Sequence, residues 1–498
     1  MKIHFKAIFK IENPGNQRLC PFLGFWHFSH RLSNGNITSN SSKEMPLNFY
    51  RPIIYCFNHK KSNSTFPNLI TREAYVNGTR CALNILFVKS HMRKYLFNPL
   101  VLISILYLIV SMLLFAENHV KIVNDSYRYL EYANNLKTGF YFDNHNFWYF
   151  GYAVFIFAVK QIHNSELAIV IAQKILSWIA VISIYKTSKL IFNNPKGAMI
   201  TSLLSILFIE ILAWNSYILC ESVYCSFTCI SFFVLAKIHR GSTNIGTLTL
   251  AVLVISLAVL AKPTGIALLG AISLIAFIKL KVFITNRTLR YSLIFLSCLV
   301  LILLINKMLT TYLVMENYQL GEIVYAITTI THKPEYDLLV VSVPNNLFIP
   351  SQESFPLIKI LSFIIHNPIY WTKLFIGKIF YFLLHIRPYW SIQHNVFSLV
   401  VLLPLYFYAI QAVIKKRLKK DLLIFFMAYM FIHILSIGIT SVDWDGRFLM
   451  PLLPAIFIVA SSEIARDFER FISPILKKHK SKLHSEFITD SKESIKYK

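Results

Sequence analysis

One carboxylate stands out by its position. Asp125 lies in the segment Asn124-Asp125-Ser126-Tyr127-Arg128-Tyr129-Leu130-Glu131-Tyr132-Ala133, which is acidic, aromatic and helix-like and follows directly on the first long apolar run. If that run crosses a membrane, Asp125 is held just outside the bilayer. An integral-membrane enzyme places a catalytic group there, whereas transporters more often hold ionisable groups at mid-membrane depth. A partly desolvated carboxylate has its pKa raised and can serve as a general base. The alternative is an N-cap, since an Asp before a helical stretch can accept its first backbone N–H groups. Glu131, on the same stretch, reads as a structural or solvated group. Glu221 sits near the end of a later apolar run, where a charge is costly unless paired. It either neutralises a cation such as Lys262 or reaches water across the short turn before it.

The elements that must hold these groups are membrane helices. The 498 residues are 55% hydrophobic and only 15% charged, with a mean hydropathy of +0.53. A soluble domain carries about 25% charged residues. With apolar runs of about 20 residues recurring, the expected fold is an all-α, polytopic helical membrane protein without a large water-soluble core. The net charge of +26 would suggest a nucleic-acid partner in a soluble protein. Here Lys and Arg cluster at the ends of the runs, the positive-inside pattern, so the bilayer is expected as partner and nucleic acid is not. The seven cysteines show neither metal nor disulfide spacing. Cys220, Cys225 and Cys229 in one run, and Cys298 in another, read as small buried hydrophobes.

Ten runs have the length to cross: 97–117, 166–189, 198–214, 217–236, 244–262, 265–281, 289–307, 395–413, 421–440 and 448–464. About 10–12 transmembrane helices are therefore expected. With ten spans, Lys186/Lys189/Lys196, Lys237/His239/Arg240, Lys279/Lys281/Arg287/Arg290 and the 415–420 cluster all share the N-terminal, cytoplasmic side. Loops 118–165 and 308–394 then lie on the outer face, with stretches at 126–137, 147–158 and 356–391 patterned as amphipathic interfacial helices. The stretch 369–386 is read as interfacial, because one more span would invert the charge pattern after it. Residues 1–92 are basic, rich in Asn and Ser and free of any spanning run, and read as a cytoplasmic extension or an over-long start. Residues 93–466 form the membrane domain and 467–498 a basic cytoplasmic tail. With no eukaryotic retention signal in the sequence, a bacterial plasma (inner) membrane is the expected location.

Several motifs carry a family resemblance. They are Asn124-Asp125-Ser-Tyr-x-Tyr-x-x-Tyr132-Ala133-x-x-Leu136-x-x-Gly139, Gly151-Tyr152, Gln173, Glu221, Lys262-Pro263-Thr264-Gly265, Arg387-Pro388-Tyr389-x-Ser391-x-x-His394-Asn395 and Asp445-Gly446-Arg447-x-x-x-Pro451-x-x-Pro454. In this order, over about 100–465, the chain resembles the GT-C glycosyltransferases, polytopic enzymes that use polyprenyl-phosphate sugars. The nearest group looks like glycosyltransferase family 39, the protein mannosyltransferases, with their aminoarabinose-transferase relatives. Two departures stand against that pattern: Asn124-Asp125 replaces an acidic pair, and Lys262 replaces Arg and so lacks its bidentate fork.

The resemblance implies that a sugar passes, with inversion, from a polyprenyl-phosphate donor to a lipid, glycan or protein acceptor at the outer face. Asp125 would be the catalytic base. Glu221 would orient the sugar or neutralise Lys262. Lys262, Arg387 and Arg447 would stabilise charge on the departing phosphate. Arg447 pairs with Asp443 or Asp445, a pairing compatible with a role for Asp445 in the site; Tyr389 and His394 would bind sugar hydroxyls, or Tyr389 and Trp390 serve as ordinary interfacial aromatics. A divalent cation is left open, since one carboxylate in the first loop offers a hard cation too few oxygens. No phosphate-binding glycine loop or dinucleotide fingerprint stands out, which favours a lipid-linked donor. The competing readings are a secondary transporter or lipid flippase and a surface-polysaccharide polymerase or ligase. The first lacks paired interrupted helices and mid-membrane charges, and the second lacks its arginine-dominated outer loops.

Overall fold

A computed structural model describes residues 98–143, 145–329, 333–351, 354–471 and 473–474. The expectations for 1–92 and for most of the basic tail lie outside these residues. The helices are α1 (Pro99–Asn118), α2 (Asn124–Asn135), α3 (Phe150–Ile162), α4 (Glu166–Phe192), α5 (Pro195–Leu207), α6 (Ile209–Ala213), α7 (Cys220–His239) and α8 (Ile245–Ala261). They continue as α9 (Ile266–Phe283), α10 (Arg287–Leu309), α11 (Val314–Gln319), α12 (Pro356–His366), α13 (Pro368–Leu384), α14 (Ile392–Ile414), α15 (Lys420–Ile439) and a last helix, α16, over 453–471. The described residues contain isolated β-bridges but no strand. The all-α expectation holds.

Short polar residues start these apolar helices. Asn98, Ser165, Asn244, Asn286 and Ser391 each accept a backbone N–H of the first turn, and Asn194 accepts two. Such caps satisfy donors that lipid could not. Pro99, Pro195, Pro356 and Pro368 open their helices, where the missing N–H costs nothing.

Among the described residues, seven helices are long and apolar enough to cross a membrane: α1, α4, α7, Pro263–Lys281, α10, α14 and α15. The run expected at 198–214 is broken: α5 ends at Phe208 and continues bent by 60° as α6, so the pair is one interrupted span or a re-entrant loop. Helix α8, expected as a span, is apolar but only 17 residues long. Leu102, Ile105, Ile109 and Met112 on α1 and Phe295, Leu299 and Leu303 on α10 face outward, a surface suited to lipid rather than water.

The core runs through α7, α9, α15 and α16, with Phe232, Phe426, Tyr429 and Phe457 fully buried. Helix α13 presents Tyr370, Leu374, Lys378 and Phe382 inward at four-residue spacing and packs on α15. Loop 118–165 forms α2 and α3 and loop 308–394 forms α11 to α13, so helical segments stand where amphipathic stretches were expected.

Candidate functional site

Four chain crossings deliver the polar residues to one end of the bundle. Helix α1 ends just before Asp125, α7 begins at Glu221, α8 ends at Lys262, and α15 ends just before the 441–452 segment that carries Asp445 and Arg447. Alternate ends of consecutive crossings meet at the same level, which is why residues so far apart in sequence can touch.

Local contacts fix each of them. Lys121 N–H donates to Ser216 O at 2.9 Å and Ile218 N–H to Lys121 O at 3.0 Å, tying the start of α2 to the turn before α7. That turn is held from below by buried Gln173. Its Nε2 donates to Asn215 O at 3.0 Å and Tyr217 O at 2.8 Å, and its Oε1 accepts from Tyr152 at 2.8 Å. Gly151, beside Tyr152, lets α3 press on α8: a Cβ there would stand 2.6 Å from Leu257 O. The motif residues Gly151, Tyr152 and Gln173 therefore work as supports for the segment that leads into Glu221.

At the centre, Lys262 Nζ donates to Glu221 Oε1 at 2.9 Å, and both side chains are only 3% exposed. Glu221 thus neutralises Lys262 and does not reach water. Lys262 also lies over the Phe448 ring at 4.0 Å, so its ammonium is already surrounded. Arg447 connects three carboxylates: Asp125 Oδ2 at 3.2 Å, Asp445 Oδ1 at 3.4 Å and Glu221 Oε1 at 3.6 Å. It keeps 20% of its side chain exposed and Asp125 keeps 40%, so this is the open side of the cluster.

Asp125 is not a cap. Val123 holds the N-cap position, its N–H donating to Ser126 Oγ at 3.0 Å, and Asp125 sits inside the first turn facing Arg447 and Arg128. Arg128 Nη2 is 3.7 Å from Asp125 Oδ1 and lies over the rings of Tyr129 and Tyr149 at 4.9 Å. Sequence reasoning passed over Arg128, although its three-residue offset from Asp125 on a helix was the signal. Glu131 is exposed, as expected.

The remaining expected residues stand differently. Arg387 is 1% exposed and donates to the carbonyls of Asp443 (2.7 and 3.2 Å), Tyr381 and Ile386. Tyr389 donates to Trp444 O at 2.7 Å. Both therefore clamp the segment that carries Asp445 and Arg447, and their donors are spent on backbone. Glu322, in the second loop, accepts from Ala326 and Thr328 N–H, while neighbouring Ile323 and Tyr325 bond to Val442. The second loop thus backs the same segment.

His394 lies elsewhere, 2.9 Å from Glu210 Oε1, with His385 Nε2 2.6 Å from Glu210 Oε2. Glu210 and His385 gave no sequence signal: Glu210 is an isolated acid inside an apolar run, and only the break at Phe208 turns it inward. The two clusters adjoin at Gly446, where a Cβ would stand 2.0 Å from His385 Cε1. Its φ of +76° lies where glycine is the favoured residue.

Asp445 keeps 45% of its side chain exposed. Its carboxyl is pushed up to about 7, by the surrounding protein first, with Arg447 pulling down and neighbouring Asp443 pushing up. A group poised there changes charge near neutral pH.

Residues 147–309 match the model of a family described as dolichyl-phosphate-mannose-protein mannosyltransferase. That span includes Glu221, Lys262 and the Tyr152–Gln173 support, and leaves Asp125 and the 385–447 residues outside. No curated protein matches the chain. The match agrees with the resemblance read from the motifs: over residues 147–309 the chain is similar to the dolichyl-phosphate-mannose-protein mannosyltransferases, and its long apolar helices are those of a multi-pass membrane protein.

Proposed function

We propose that this protein is a glycosyltransferase that takes its sugar from a polyprenyl-phosphate donor and delivers it to an acceptor on the outer face of the membrane. The observation that carries the reading is the open Asp125–Arg447 pair above the closed Glu221–Lys262 pair. Arg447 and Arg128 are the cations with exposed surface beside Asp125. A donor phosphate drawn to them competes with Asp125 for Arg447 and leaves the carboxylate free to act.

The acceptor hydroxyl then gives its proton to Asp125 as its oxygen attacks the anomeric carbon. The bond from that carbon to the phosphate oxygen breaks, and the phosphate leaves with the bonding electrons toward Arg447. Attack opposite the leaving group inverts the configuration. The guanidinium serves this step best because charge grows on the leaving oxygen as the bond breaks. In this reading the 415–420 cluster, at the other end of 23-residue α14, faces the cytoplasm and marks the N-terminal side.

The test is turnover of polyprenyl-phosphate sugars by purified protein in liposomes. Asp125→Asn keeps the shape and leaves Val123 as cap, so a base role predicts loss of ~10²–10⁴-fold in kcat with the fold intact. Near wild-type turnover by that variant would remove Asp125 as the base. Turnover of a water-soluble nucleotide sugar instead would remove the donor assignment.

A further inference from the structure

We propose that Glu210, His385 and His394 bind one divalent transition cation, of the Zn2+ class. The proposal rests on these three side chains and not on the transferase reading. Their donor atoms all lie within 4.8 Å of one another. His385 Nε2 stands 2.6 Å from Glu210 Oε2, and His394 Nε2 stands 2.9 Å from Glu210 Oε1. Ligands around a tetrahedral Zn2+ at 2.0–2.1 Å are about 3.3 Å apart, so the two contacts to Glu210 need to open by about 0.4–0.7 Å.

Charge gives the second argument. Glu210 is buried, with 11% of its side chain exposed, and among the described residues it pairs with no lysine or arginine. A buried carboxylate needs a compensating charge. Two imidazoles provide one only if one of them is protonated, or if both turn their Nε2 lone pairs to a shared metal ion. Two imidazole nitrogens and one carboxylate suit Zn2+, and suit Mg2+ or Ca2+ poorly, because those prefer oxygen alone. Three protein donors also leave a fourth position, as in open zinc sites.

The surroundings hold the donors in place. The break at Phe208 turns Glu210 out of the line of α5. His385 caps α13 in the left-handed region at φ 53°, which aims its ring across the bundle end. Trp390 stacks on His394 at 4.4 Å and 7° between planes, fixing that ring. The three residues come from parts of the chain 175 positions apart, so a metal here would clip the interrupted span to the start of α14. Because the His385 ring rests on Gly446, the clip would brace the backbone next to Arg447.

The experiment is metal binding by the purified full chain in detergent. The protein is stripped with a chelator and dialysed against Zn2+, and bound metal is counted by mass spectrometry. Parallel samples are loaded with Co2+, and their visible spectra are recorded. The proposal expects one strongly bound Zn2+ per chain, a Co2+ spectrum with intense tetrahedral bands, and a Zn2+-dependent rise in melting temperature. In His394→Gln and Glu210→Gln, affinity should fall by more than ~10-fold and the thermal shift should vanish. If stripped wild type binds no Zn2+ at this strength, an imidazolium neutralises Glu210 and the proposal is overturned. Binding that both variants keep unchanged assigns the metal to other histidines and overturns it equally. Should the variants not fold, the wild-type Co2+ spectrum decides alone, since weak octahedral bands overturn the proposed tetrahedral site.

Discussion

The guanidinium of Arg447 lies 3.2 Å from Asp125 Oδ2, although 322 residues separate the two in sequence. The same group reaches Glu221 and Asp445, so one side chain joins the first loop, the start of α7 and the last loop. Arg447→Lys keeps a point charge but cannot span three carboxylates at once. In liposome assays Arg447→Ala should lower kcat by ~10²–10³-fold, the scale of losing one donor to a developing oxyanion. Its donor affinity should fall as well, and Arg447→Lys should lie between. An unchanged kcat in Arg447→Ala would place the leaving-group charge elsewhere.

Glu221 and Lys262 are both 3% exposed, so each is the other's replacement for water. Glu221→Gln strands the ammonium in the bundle and should cost ~3–5 kcal/mol of stability, as breaking a buried pair does. The double variant Glu221→Gln/Lys262→Met should recover most of that in thermal melts. A double variant as unstable as the single would show that the pair is not the source of the loss.

Asp445 titrates near neutral pH, with its carboxyl pushed up to about 7 by its surroundings. The folded chain therefore holds a proton that an unfolded Asp releases near 3.9. This favours the folded state fully below pH ~4 and is lost as pH rises through about 7. Its exposed side screens the effect. Wild type should show a melting temperature that declines between about pH 4 and 7 more steeply than in Asp445→Asn. The pH–rate profile should carry an inflection near 7 that the variant lacks, and matching profiles would remove Asp445 as its source.

Gly446 holds φ +76° with its α-carbon against His385. Gly446→Ala combines backbone strain of ~1–3 kcal/mol with a clash at the imidazole. The melting temperature should drop, and turnover should fall further than stability alone accounts for, because Arg447 is the next residue. Wild-type values of both would mean that the loop repacks freely.

Sequence alone determined the architecture. Apolar runs of spanning length, capped by Asn and Ser and opened by Pro, make helices for which lipid is the only suitable solvent, and this pattern is local. It also drew attention to Asp125, Glu221, Lys262 and Arg447, because polar groups at the ends of such runs are few and alternate ends meet at one face. Tertiary structure alone decided their partners. Whether Glu221 faced water or Lys262, and whether Asp125 was a cap, depended on which crossings pack together. The same holds for Arg387 and Tyr389, whose side chains turn to the 443–444 backbone. Glu210 and His385 were invisible beforehand: the bend at Phe208 and the left-handed turn at His385 that bring them together come from packing, and no spacing in the chain encodes it.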